Sequence, residues 1–137
     1  MMYKSTKLFV TVAFLLLPMC VFAQRTQYDK EEQKKLDEAI DKQVEHYTEF
    51  LDLEDWQSFY VDSILRHDMY ALRDEVMDLS DAKVSNPDLY FVAQDKWHEK
   101  IYNSFRKVLD DEQWAKYLKA GAEREKKARD KRAAKRK

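Results

Sequence analysis

Gly121 is the one glycine of the chain, and only two prolines, Pro18 and Pro87, accompany it among 137 residues. Two-residue β-hairpins draw on Gly or Asn-Gly at positive φ, and phosphate loops and dinucleotide turns need two or three glycines at set offsets. All of these are disfavoured together. What remains is helix. Charged residues make up 37% of the sequence and apolar residues 45%, a mixture suited to amphipathic helices and too apolar for a disordered chain. The expected fold is a single all-α domain without β-sheet.

Charge divides the chain into three regions. Residues 1–23 carry Lys4 and Lys7 and no acid, and the apolar run Leu8 to Leu17 follows, with Ala23 at a plausible cleavage point. This is the pattern of a secretory signal peptide, too short in its apolar core to span a bilayer. Cys20 raises lipidation as a competitor, disfavoured by the bulky Met19 before it. Residues 24–118 hold 13 basic and 23 acidic side chains, a net of −10. Residues 119–137 reverse the sign, with 10 basic against three acidic residues, a net of +7. The expected mature chain, 24–137, contains no cysteine, which excludes disulfides and thiolate chemistry.

Within that chain the apolar spacing predicts four helices. Leu36, Ile40, Val44, Tyr47 and Leu51 form one stripe over roughly 28–50. Trp56, Phe59, Tyr60, Ile64, Leu65, Met69, Leu72, Val76 and Leu79 form a second over about 54–79. Asn86 is placed to cap a third helix opened by Pro87, with Tyr90, Ala93, Trp97, Ile101, Phe105 and Val108 on one face. A fourth begins near Asp110 with Trp114, Tyr117 and Leu118. Beyond Gly121 no apolar side chain larger than alanine remains, so 119–137 is expected to be a solvated tail, frayed or weakly helical.

Two helix starts share a pattern. Leu53-Glu54-Asp55-Trp56-Gln57 and Leu109-Asp110-Asp111-Glu112-Gln113 both read Leu, acid, any, any, Gln. An acid at the cap can accept from first-turn amides, a Gln three residues on can reach back to the cap amide, and the leucine staples the entry. Residues Leu53, Glu54, Gln57, Leu109, Asp110 and Gln113 are thus candidate capping residues. The pair of motifs, the helical content and the signal segment resemble the Spy/CpxP-like proteins of the Gram-negative periplasm, with their repeated Leu-Thr-x-x-Gln. Glu54 and Asp110 stand where that family has Thr, and Glu is the poorer cap. The resemblance covers about 36–118. It implies four helices in an elongated hairpin-like cradle, dimeric, that shields unfolded or partly folded envelope proteins without ATP or other cofactor. Alternatively it implies a regulator of one fixed partner such as a sensor kinase domain, or a metal-responsive protein.

Aromatic residues are more plentiful than a thin helical body can enclose. Phe91 and Tyr102, off the main stripe of the third helix, together with Trp56 and Tyr60, are candidates for a client or partner surface. The basic tail could meet anionic lipid or a neighbour's acidic body; nucleic acid is not expected in the periplasm. Enzyme readings find little support. His98-Glu99-Lys100-Ile101-Tyr102 lacks the second histidine of a zinc-protease helix, and His46, His67 and His98 fall on three separate predicted helices.

Overall fold

The structure, a computed structural model, describes residues 27–137. The expected signal segment, Cys20 and the cleavage point at Ala23 lie outside the described residues. Five helical segments follow in order: α1 (27–50), α2 (Asp55–Asp81), α3 (Pro87–Val108), α4 (Asp111–Tyr117) and α5 (Glu123–Lys135). A π-helical turn, Leu118–Ala122, joins α4 to α5. The fold is all-α; no strand occurs among the described residues, and none of their helices is long and apolar enough to cross a membrane. The described residues fall in two compact units, 27–39 and 40–137. In the first, 27–39 are helical and mostly exposed. The second holds the rest of α1 and everything after it.

The second unit is built around Ile40, Leu51, Val61, Leu65, Ile101 and Phe105, all buried. Along α2 the inward line is Gln57, Val61, Leu65, Asp68 and Leu72, spaced by four and three residues. This differs from the expected stripe. Val61 is fully buried, whereas Trp56, Phe59 and Tyr60 are exposed, Phe59 by 68%. The smaller β-branched residue fits where α2 packs closely on its neighbours, and the three large rings are left on the other side. In α3 the expectation holds: Ala93, Ile101 and Phe105 are buried, with Tyr90 and Trp97 half-buried.

Rings from three elements close one end of the core. Tyr47 of α1, Phe105 of α3 and Tyr117 of α4 meet in tilted or edge-on pairs with centroids 5.4–5.8 Å apart. Trp114 and Tyr102 extend the cluster at 4.9 Å. Such pairs contribute about 0.5–1.5 kcal/mol each beyond area burial. Burial pushes the Tyr47 and Tyr117 hydroxyls above the ordinary tyrosine range, so both stay neutral. Polar ties fix the helices laterally. Arg66 of α2 reaches Asp41 of α1 at 2.6 Å, and Glu75 of α2 accepts from Trp97 Nε1 of α3 at 2.7 Å.

Helix ends are made almost without glycine. At the end of α1, Leu53 N–H bonds Thr48 O at 3.0 Å while Asp52 sits at φ 52°. At the end of α2, Val84 N–H bonds Leu79 O at 3.0 Å while Lys83 sits at φ 55°. Both are Schellman closures with a left-handed residue where glycine is usual. Gly121, at φ 131°, is kept for the kink between α4 and α5. The third helix opens as expected, with Asn86 Oδ1 accepting from Asp88 N–H at 3.0 Å and Pro87 behind it.

The tail corrects the expectation of a frayed, solvated end. Residues 123–135 are helical and return along α3, bound by charge. Arg132 grips Asp95 with two bonds of 2.9 and 2.7 Å, Arg136 reaches Asp88 at 3.1 Å, and Lys126 and Arg129 reach Glu99 at 2.8 and 3.1 Å. Arg129 is only 7% exposed. The basic residues of α5 meet acids of α3 spaced along a single helix face, so docking needs no apolar stripe.

Two outcomes follow from these contacts. Lys83→Gly removes the strain of a side chain in the left-handed region and should raise the urea midpoint by the equivalent of about 1 kcal/mol. Asp95 is held below the usual carboxylate range by the bonds from Arg132 and then Arg136. Burial alone would push Glu99 up, but bonds from Lys126 and Arg129 outweigh it and hold that carboxyl down too. Depressed acids stabilise fully above their unfolded values of about 4, and that stability is lost as pH falls through the folded values. Protection of the α5 amides, relative to their intrinsic exchange rates, should therefore fall in acid below pH of about 4, and Arg132→Gln should produce the same loss of protection at neutral pH.

Candidate functional site

The two Leu-acid-x-x-Gln starts meet. Leu53 and Leu109 are buried beside them, as stapling residues should be. Within each motif the glutamine folds back: Gln57 Oε1 accepts from Glu54 N–H at 3.0 Å, and Gln113 Oε1 accepts from Asp110 N–H at 3.0 Å. Asp110 completes its cap by accepting from Gln113 N–H at 2.8 Å. The Glu54 carboxylate is drawn to Trp56 Nε1 at 2.5 Å, consistent with glutamate being the weaker cap.

The glutamines also bind each other. Gln57 Nε2 donates to Gln113 Oε1 at 2.7 Å, and Gln113 Nε2 donates to Gln57 Oε1 at 3.0 Å. Each second amide hydrogen goes to the backbone before the other motif: Gln57 to Val108 O at 3.0 Å, Gln113 to Asp52 O at 3.4 Å. Val108 precedes Gln113 by five residues, and Asp52 precedes Gln57 by five, so the arrangement has local two-fold character. Both side chains are buried, and every donor and acceptor of both amides is used. An open cleft of about 570 Å³ lies over this pair, edged by Trp56, Glu54, Glu112 and Lys116.

The expected surface residues divide. Trp56, Tyr60 and Phe91 are exposed. Trp56 stands edge-on to Tyr60 at 6.2 Å, and Tyr60 edge-on to Phe59 at 5.8 Å, giving a continuous aromatic strip at the start of α2. Phe59 belongs to it; its sequence spacing, which matched the apolar stripe of α2, concealed that. Tyr102 is not a surface residue. It is half-buried against Trp114, with the Arg129 guanidinium 5.5 Å and the Lys126 ammonium 5.9 Å from its ring centroid, because α5 covers the face of α3 on which it stands. Phe91 edges a second cleft of about 640 Å³ between α3 and α5.

The histidines do not come together. His46 stacks on Phe50 at 5.6 Å, His67 Nδ1 lies 2.8 Å from the buried Asp68, and His98 edges the α3–α5 cleft. Among the described residues no group of three or more His, Cys, Asp or Glu could hold a metal. Glu99, the acid of the incomplete zinc-protease pattern, is engaged by Lys126 and Arg129. No family model, curated protein or solved structure matches the chain.

Breaking one glutamine leaves the other's buried amide unpaired. Gln113→Leu should cost about 2–3 kcal/mol in urea unfolding. The double variant Gln57→Leu, Gln113→Leu should cost clearly less than the sum of the two single ones.

Proposed function

We propose that this protein is an ATP-independent chaperone of the periplasm, holding unfolded envelope proteins on the exposed aromatic strip of Trp56, Phe59 and Tyr60. The strip itself carries the reading. Three adjacent large rings lie on one side of α2, each at least half exposed, while the apolar core is complete without them. The edge-to-face contacts within the strip hold the rings in place, so little side-chain freedom is lost when a client binds. Apolar client segments would gain about 25 cal/mol for each Å² removed from water. Glu54 and Asp55 nearby would hold basic client segments without fixing one orientation. The paired Leu-acid-x-x-Gln starts support the same reading through their resemblance to the Spy/CpxP-like proteins. Release is passive and follows client folding, which buries the segments that were held.

The test is light scattering of several unrelated unfolding proteins with the full chain at near-equal ratios. Suppression of aggregation is expected for more than one of them. The variant Trp56→Ser, Phe59→Ser, Tyr60→Ser, whose substitutions lie outside the core, should need roughly tenfold more protein for the same effect. If every aggregation rate is unchanged by the full chain, the reading is lost.

A further inference from the structure

The cations of α5 fall into two stripes of different chemistry. The inner one, Lys126, Arg129, Arg132 and Arg136, is consumed by the carboxylates of α3. The outer one is Arg124, Lys127, Lys131 and Lys135, all exposed, at steps of three, four and four residues. At 3.6 residues per turn these four fall within about 80° of arc. Lys127 pairs with Glu123 at 3.2 Å, while Arg124, Lys131 and Lys135 have no acidic partner among the described residues.

We infer that this outer stripe docks the protein on an anionic lipid surface. Three observations select that occupant. The inner stripe is mostly arginine, the fork that suits fixed carboxylates, whereas the outer stripe is mostly lysine, a flexible point charge that suits mobile, smeared negative charge. An apolar side chain stands beside it: Phe91 shares the α3–α5 cleft with Lys135 and is 52% exposed. Attachment to a bilayer surface scales with apolar area buried plus attraction to anionic lipid, and a basic cluster next to the exposed Phe91 ring supplies both. Finally, the outer stripe has no part in holding α5 to α3, so it can be occupied with the fold unchanged. The docking does not depend on the client-binding strip, which lies at the start of α2.

The experiment compares the full chain with its Arg124→Gln, Lys131→Gln, Lys135→Gln variant, so that the N-terminal apolar run common to both cancels. Co-sedimentation uses vesicles of phosphatidylcholine alone or with roughly one-third phosphatidylglycerol. The unaltered chain should bind the anionic vesicles more tightly, and the variant should lose about fivefold per charge removed, roughly a hundredfold in all. Its thermal unfolding should match that of the unaltered chain. Phe91→Ser should weaken binding while leaving the anionic preference. Because high salt also loosens the inner stripe, the variant and not salt is the deciding arm. Equal binding of chain and variant overturns the inference. So does a result in which neither binds but the variant alone fails to dimerise, which would assign the stripe to the acidic body of a second copy.

Discussion

Gln57 and Gln113 are two buried carboxamides that satisfy one another, and most of the second unit is arranged by that exchange. Each glutamine closes the first turn of its own helix through the cap amide and then reaches the carbonyl just before the other helix. The α1–α2 connection and the α3–α4 connection are thereby held side by side. With those two ends fixed, α2 and α3 run alongside each other and the aromatic cluster of Tyr47, Phe105 and Tyr117 is enclosed next to the pair. A buried polar set of this kind is stabilising only when complete. The leucines at 53 and 109, buried beside the pair, give it apolar cover.

The rest of the body is held by a different force. The α5 segment has almost no apolar side chain to bury, and its attachment to α3 consists of arginine forks and lysine contacts on Asp88, Asp95 and Glu99. Exposed ion pairs contribute little singly, but bidentate geometry and a shared network raise their worth. Arg129 shows the strength of the arrangement: its guanidinium is buried over Tyr102, one nitrogen bonded to Glu99 and another without a hydrogen-bond partner. One part of the molecule is therefore an apolar core and another a charge-zipped helix, with different responses to acid.

Much of the fold could be read from the sequence because its signals are local. Asn86 and Pro87 announced the start of α3, and Glu54 and Asp110 the starts of α2 and α4, since capping depends on residues within one turn. What could not be read depends on distant partners. Nothing in the sequence says that two glutamines 56 residues apart share one set of hydrogen bonds. Arg132 finds Asp95 across 37 positions, so the tail looked unpartnered. The inward face of α2 depends on distant partners too. Hydrophobicity ranks Phe59 with Val61, and only the close approach of neighbouring helices decides that the smaller one goes inside. Tyr102 stands off the apolar stripe of α3, and the helix that covers it has no apolar stripe of its own to signal that it packs there.

The closed amide set also has a kinetic meaning. A carboxamide rotated out of place would turn its hydrogens toward the cap amide it now accepts from, so neither glutamine can turn while the other stays. The opening of one helix start entails the opening of the other. The backbone hydrogens of Glu54 and Asp110, in separate loops of the chain, should thus exchange with solvent through one shared event, at one rate, as if they belonged to a single turn.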